Sequence, residues 1–354
     1  MATGGTAAGA ATGGTSAGAA TGGSNLGGGG GAGAGTSGTA TGGSTTGGSA
    51  TGGTTTGGSS GAAGSAAGGS GGSASTSGVR VIGYLPNYSG SYSSWAAKLD
   101  FTKMTHLNLA FALSNTQNGW DMGASDQEVA ALVTKAHAAG VKVLASLGGG
   151  GGDQSVLKQY NNASNLEPLV NNLDAFLDKL ALDGADIDIE SPENLGGPYS
   201  AFVQKVVDKL HPKGKLVTAA VAQYLQDNMS DTTLKSFDFV NIMVYTTLKD
   251  STDALNWYHD TKGVGITKLV IGAGFFGTSN PYKEWAYKDI LATDANAWSK
   301  DVTSVQGNTV HYTGEATMKQ IANLSKGWGG IMFWDWTEDA PAPHSLWQVI
   351  QSTM

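Results

Sequence analysis

The chain contains no cysteine, which excludes disulfides and thiolate-ligated metal sites and leaves the compartment open. Lysine and arginine number 20 against 28 aspartates and glutamates, a formal net charge of −8. Nothing in it reads as a basic patch for nucleic acid or an anionic lipid surface. No apolar run is long enough to cross a membrane. Proline is missing from residues 1–77 and glycine recurs there without a fixed period, which excludes a collagen-like helix.

What fills residues 1–77 is almost entirely Gly, Ala, Ser and Thr, with Asn25 and Leu26 the main exceptions. So little apolar surface does not offset the entropy of ordering, and the segment is expected to be a flexible, disordered tether. Met1-Ala-Thr-Gly-Gly has neither the basic nor the apolar region of a signal peptide. A tether of this kind most often spaces an exported domain from a surface, so an extracellular or cell-surface location is expected. Residues 79–354 are then one folded domain, close to the ~250 residues of a β/α barrel.

In that domain short apolar runs alternate with longer amphipathic ones, the pattern of repeated βα units. Strands are expected at 79–85, 104–113, 141–147, 182–190, 216–222, 239–246, 268–275 and 330–336. Ser125-Asp-Gln-Glu128 is a capping box opening a helix to about Ala139. Leu166, Leu169, Leu173, Phe176, Leu177 and Leu180 form one helical face, and His211-Pro212-Lys213-Gly214 stops the helix begun near Tyr199. Eight strand candidates suit a closed (β/α)8 barrel. An open doubly wound sheet is the runner-up, and it expects a Gly-rich turn where Tyr84-Leu85-Pro86-Asn87 stands.

One stretch organises the rest. In Asp186-Ile187-Asp188-Ile189-Glu190 acidic and apolar residues alternate, so a strand places three carboxylates on one face and two β-branched residues on the other. Like charges so close repel unless protons are shared, a cost tolerated most readily where the charges do chemistry. A calcium loop would want a flexible turn with a central Gly rather than Ile between its acids. Barrel active sites lie at the carboxyl ends of the strands, so Glu190 is expected in the mouth, with Asp188 and Asp186 progressively deeper. Asp183 has the opposite parity and reads as a structural strand-start residue.

Asp183-Gly-x-Asp186-x-Asp188-x-Glu190 resembles the signature of family 18 glycoside hydrolases, the chitinases and their relatives. Four further segments resemble the family: Val81-Ile-Gly-Tyr84, Ser146-Leu147-Gly148-Gly149, Asn241-Ile-Met243-Val-Tyr245 and Gly330-Ile-Met-Phe-Trp334. The glycines from Gly148 to Gly152 and Thr218-Ala-Ala-Val-Ala-Gln223 look like a bacterial single-domain branch of it. No Lys-Ser or Lys-Thr follows the glycine run, so it is expected to be a close-packed turn and not a phosphate cradle.

The resemblance implies retaining, substrate-assisted hydrolysis of β-1,4 linkages between N-acetylglucosamine residues. It implies Glu190 as general acid and base, Asp188 orienting the acetamido group, and Asp186 sharing a proton with Asp188. Tyr245 would donate to the acetamido oxygen and Trp334 would floor the sugar. Tyr84 and Ser146 would support Asp186 from beneath, while Met243, Gln223 and Thr246 line the substrate site. No metal or organic cofactor is implied, and a monomer is expected.

Three departures stand out. Thr246 occupies a position where many members carry Asp, and Ile189 and Ser191-Pro192 replace common aromatic neighbours of the acid. Residues 277–314 are too short for the usual inserted α+β domain, so a shallow groove and non-processive cleavage are expected. Tyr88, Trp120, Tyr224, Trp257 and Trp285 are candidates to line the groove. Two competing functions keep the same domain: cleavage of the chitobiose core of N-glycans, and carbohydrate binding without cleavage. In a third, the Gly/Ser/Thr segment is a surface-display device and the barrel its scaffold.

Overall fold

Runs rich in Val, Ile, Leu and Ala, punctuated by Gly, Pro and Asn, form the strands of this chain. The computed structural model describes residues 78–151, 153–191 and 195–354; the expected tether over 1–77 lies outside them. The strands are β1 (Arg80–Pro86), β2 (His106–Ser114), β3 (Trp120–Asp121), β4 (Lys142–Gly148), β5 (Gly184–Asp188), β6 (Leu216–Ala222) and β7 (Val240–Met243). After them come β8 (Leu269–Gly274), β9 (Phe276–Ser279), β10 (Glu284–Ala286), β11 (Val302–Val305), β12 (Asn308–Tyr312) and β13 (Gly330–Trp334).

Among the described residues eight parallel strands close a ring in the order β1, β2, β4, β5, β6, β7, β8, β13, and β13 pairs back to β1. Helices run between these strands, and the fold is a (β/α)8 barrel. The short β3 pairs antiparallel with the end of β2. The helices begin and end where local chemistry dictates. Ser125 caps Asp126–Ala138 by accepting from the Glu128 amide, and Thr247 with Asp250 forms a capping box for Leu248–Asp260. Gly214, in the left-handed region at φ 72°, follows the His211–Lys213 turn that ends helix Gly197–Leu210. No helix among the described residues is long and apolar enough to cross a membrane.

Strand parity divides the core. Ile82, Tyr84, Ala110, Phe239, Val270 and Met332 pack together as one buried cluster, and the larger cluster gathers Ile187, Ile189 and the apolar helix faces. Asp186 therefore faces the polar groups of the ring while Ile187 faces the helices.

Element ends differ from the sequence reading in ways that matter for the site. β5 stops at Asp188, so Glu190 lies two residues beyond its end, and β7 stops at Met243, leaving Tyr245 and Thr246 in the following loop. The expectation that residues 277–314 are too short for an inserted α+β unit is overturned. An antiparallel sheet in the order β10, β9, β12, β11 stands there with the helix Tyr287–Thr293. Its strands are only three to five residues long, too short for alternation to declare them. β9 also starts one residue after β8, which hides the break inside what reads as a single run. The shallow groove inferred from a missing insertion falls with that inference.

Gly184 begins β5 between β4 and β6. A Cβ there would overlap the Leu216 carbonyl oxygen and lie 2.8 Å from the Leu216 backbone C and N. Backbone in mid-sheet cannot yield, so Gly184→Ala should destabilise the domain by about 3 kcal/mol. The check is the urea midpoint; an unchanged midpoint would mean β5 and β6 are not held at this spacing.

Candidate active site

The acidic face of β5 descends into the barrel. Asp186 is fully buried, Asp188 is 2% exposed, and Glu190 is partly open beyond the strand end. The Asp186 carboxylate accepts from four side chains on four other strands. Tyr84 Oη at 2.8 Å and Ser146 Oγ at 2.9 Å donate to Oδ2, and Thr218 Oγ1 at 2.6 Å and Asn241 Nδ2 at 3.2 Å donate to Oδ1. Asn241 also donates to Tyr84 Oη at 2.9 Å, so the donors form a network. Register accounts for two of them, since Ser146 and Thr218 stand directly opposite Asp186 on the flanking strands. Burial pushes the Asp186 pKa up against the pull of those four hydrogen bonds, and burial prevails.

Above this network opens a cavity of about 1150 Å³ at the carboxyl ends of the strands, with Asp188, Glu190, Tyr245, Met243, Gln223 and Trp334 in its lining. Thr246 also lines it, while its hydroxyl donates to Asp250 Oδ2 at 2.9 Å, at the start of the next helix. Burial, then the charges of Asp188, Glu190 and Asp186, hold the Tyr245 phenol well above its usual pKa. Its hydroxyl therefore stays protonated and can donate. The Tyr245 ring rests edge-on against Phe276, 5.3 Å between centroids.

Trp334 stacks on Phe111, 5.5 Å between centroids at 21°, and tilts against Tyr84 at 5.7 Å. The three rings make an apolar floor, and the peptide bonds Ala110–Phe111 and Trp334–Asp335 are both cis. The glycine run is a turn wrapped around this floor. Gly148 and Gly149 have φ of 107° and 80°, and a Cβ on Gly149 would meet the Phe111 ring. Gly150 faces the acid, where a Cβ would lie 3.1 Å from Glu190 Oε1. Gly152 lies outside the described residues.

Thr218, Asn241 and Phe111 carry parts of the site that the sequence reading does not assign. Thr218 and Asn241 stand inside segments that it singles out, and their inward parity was the available signal. The inserted sheet supplies one wall through Phe276, Thr278, Tyr282 and Glu284. Of the groove candidates, Tyr88 lines the cavity. Trp120 is buried and donates to the Leu169 carbonyl, and Trp285 is buried beneath Lys283. Trp257 packs on the core outside the cavity lining, and the Tyr224 side chain lies outside what is described. Asp183 is held by His137 Nε2 at 2.8 Å and the Val143 amide at 2.7 Å, away from the cleft. Among the described residues no group of three or more His, Asp or Glu is placed to hold a metal ion.

Behind the insertion wall Asp335 and Glu338 are two more carboxyl groups displaced upwards. Burial raises Asp335 to about 6, with Thr337 hydrogen bonds opposing. Burial, then the charges of Asp335 and Glu284, raise Glu338 to about 8. Glu338 Oε2 is buried without a hydrogen-bond partner among the described residues.

Comparison with known proteins places this geometry. The family model for glycosyl hydrolases family 18 matches residues 80–339. A chitinase-like effector of Moniliophthora perniciosa is 31% identical over 122 residues, which span 32% of this chain and 28% of that protein. The family 18 chitinase ChiB from the chitin utilization locus of Flavobacterium johnsoniae superimposes with a TM-score of 0.69 at 23% identity, covering 78% of this chain and 93% of that one. A chitinase from Bacteroides thetaiotaomicron gives 0.67 at 22% identity, covering 78% and 96%. At those identities the two structures speak for the fold alone.

Two outcomes follow from the electrostatics. Thr218→Val keeps the shape but removes the 2.6 Å donor to Asp186 Oδ1, leaving that buried oxygen with only the longer bond from Asn241, at a cost of about 1–3 kcal/mol. Denaturation at neutral pH should show that loss, and a smaller one in acid, where Asp186 is protonated. Glu338 has a folded pKa above its unfolded value near 4.5, so stability present in acid is lost as pH rises towards 8. Glu338→Gln removes that titration, and its melting temperature should gain on wild type steadily between pH 5 and 8 and level off above that. A constant difference across that range would show that Glu338 is not the titrating group.

Proposed function

Because the chain belongs to glycosyl hydrolase family 18 through residues 80–339, we propose that it hydrolyses β-1,4 linkages between N-acetylglucosamine residues with retention, using the substrate's own acetamido group. The observation that carries this reading is the acidic face of β5, buried at Asp186 and Asp188 and opening at Glu190 into a cleft floored by Trp334. Acids stacked along one strand approach the sugar from the same side. An ordinary retaining enzyme instead sets a nucleophilic carboxylate about 5 Å across from the acid, and family 18 is among the exceptions, using the substrate's own acetamido group.

In the proposed sequence the 2-acetamido carbonyl oxygen attacks C1 as the glycosidic C1–O bond breaks, and Glu190 gives its proton to the leaving oxygen. An oxazolinium ion results. Water then adds to C1, its proton returns to Glu190, and the ring reopens to the acetamide with the original stereochemistry. Asp188 accepts from the acetamido N–H and turns the carbonyl towards C1. Asp186 takes a share of the proton with Asp188; its buried position and raised pKa support that role, and the pair titrates as a unit. Tyr245, kept protonated, donates to the acetamido oxygen as it leaves carbonyl character behind. Trp334 offers a rigid apolar face to the distorted pyranose. An extracellular or surface-tethered setting for this activity rests on residues 1–77 and is part of the proposal.

Thr246 favours a second reading, carbohydrate binding without cleavage, because its hydroxyl is turned to Asp250 and brings no carboxylate to the acid. The test is wild type against Glu190→Gln on chito-oligosaccharides, with products read by mass spectrometry and binding by calorimetry. Glutamine keeps the shape and cannot supply the proton, so a fall of about 10²-fold or more in kcat with binding retained is expected. If wild type binds and does not cleave, the hydrolase reading fails and the binding reading replaces it. Release of a glycan from a denatured glycoprotein, with chito-oligosaccharides left intact, would move the substrate to N-glycans.

A further inference from the structure

The reaction accounts for Asp186, Asp188 and Glu190, and it leaves one acidic residue of the cleft without work. Glu284 lies on β10 of the inserted sheet, opposite Thr278 of β9, and both side chains line the cavity. Its carboxylate accepts from Tyr282 Oη at 2.7 Å, which fixes one oxygen and leaves the exposed group turned to the cleft. The carboxyl side chains lining the cavity are Asp188, Glu190 and Glu284; the first two are occupied with the proton the reaction uses, and no lysine, arginine or histidine stands among the described lining residues.

The cations of the neighbouring wall are engaged elsewhere. Lys283 lies over the Trp285 ring at 4.9 Å and donates to Gln306, and Lys288 donates to the Thr337 carbonyl. Burial, then the hydrogen bond to Glu284 and its charge, hold the Tyr282 phenol above its usual pKa. Among the described residues of this wall Glu284 is the one carboxyl group that lines the cleft, with two largely exposed tyrosine rings near it, Tyr88 at 66% and Tyr282 at 74%. A cleft of one sign concentrates ligands of the other, and a cation gains further from an aromatic face. A fully acetylated polymer of N-acetylglucosamine is neutral and uses none of this field. Its partly deacetylated form carries free ammonium groups on the same backbone.

We propose that Glu284 is a specificity-determining residue that makes the cleft prefer partly deacetylated, cationic stretches of the polymer. The inference rests on the glycan-cleaving reading above. Under that reading the reacting sugar must keep its acetyl group, which is the nucleophile, so the ammonium belongs to a neighbouring sugar at a fixed offset from the bond cut. The same field disfavours glycans that carry carboxylates.

The test compares kcat/KM for partly deacetylated and fully acetylated oligosaccharides of equal length, in wild type and Glu284→Gln, at low and high salt. Cleaved products are sequenced by mass spectrometry to locate the free amine. Wild type should prefer the cationic substrate, and Glu284→Gln should lower that ratio about threefold, the size of an exposed ion pair. High salt should lower the wild-type ratio towards that of the variant. The offset of the free amine from the cut should be fixed in wild type and scattered in the variant. If both substrates are cleaved and the variant keeps the wild-type ratio and offset, the inference is overturned while the hydrolase reading stands. If neither is cleaved, the hydrolase reading fails, and calorimetry on the same oligosaccharides decides the inference alone. A binding preference lost in Glu284→Gln supports it, and one unchanged overturns it.

Discussion

A carboxylate at the centre of the barrel, bonded to four strands at once, is the constraint on which the rest depends. Asp186 has no contact with solvent, and its four donors come from β1, β4, β6 and β7. Removing any one of those strands from the ring would leave a buried oxygen short of a partner. The register of β5 is bound to the same network, because Ser146 and Thr218 sit directly beside Asp186 on its two neighbours. A slip of one residue would turn Ile187 into the polar centre and Asp186 into the helix layer. Closing the barrel and aligning the acids are thus one problem with one solution.

From that anchor the strand leads outward, and each step changes the environment of the next acid. Asp188 remains buried, and Glu190 emerges past the strand end against Gly150. The absence of a side chain at Gly150 leaves room for the Glu190 carboxylate, and the positive φ of Gly148 and Gly149 turns the chain away above Phe111. Phe111 in turn backs Trp334. The floor, the turn and the acid are therefore packed against one another rather than placed separately, as a site on rigid elements should be.

Much of this was legible in order and parity. The alternation around Ile187 and Ile189 located the acids on a strand and set their face, and eight apolar runs were enough for the barrel. Tyr84 and Ser146 were placed beneath Asp186 through the family resemblance of their segments. Thr218 and Asn241 carry half of the Asp186 network, yet a hydroxyl or amide inside an apolar run looks like a defect until the facing strands are known. Phe111 was invisible as a site residue because its partner Trp334 lies more than two hundred residues away in the chain. The inserted sheet was missed because its strands are shorter than the window in which alternation is recognisable, and because antiparallel pairing is a long-range event that no local pattern declares. Thr246 was visible as a departure, but not that its hydroxyl would turn to Asp250.

The acidic residues show why residue type alone carries little functional information. Asp183 and Asp186 are three apart on one segment, yet their opposite parity gives one to His137 and a backbone amide and the other to the barrel centre. Glu338 is raised by burial beside other carboxylates, without donors to answer it on Oε2. Glu284 has solvent on one side, a tyrosine hydroxyl on one oxygen and, among the described residues, no cation in the cleft lining before it. Desolvation, donor count and facing charge differ in all four. A buried acid saturated with donors can organise a fold; an exposed acid lining a cleft has a field to offer only to what enters. If chemistry occupies the first kind, the second is where recognition of charge on the sugar chain has to be sought.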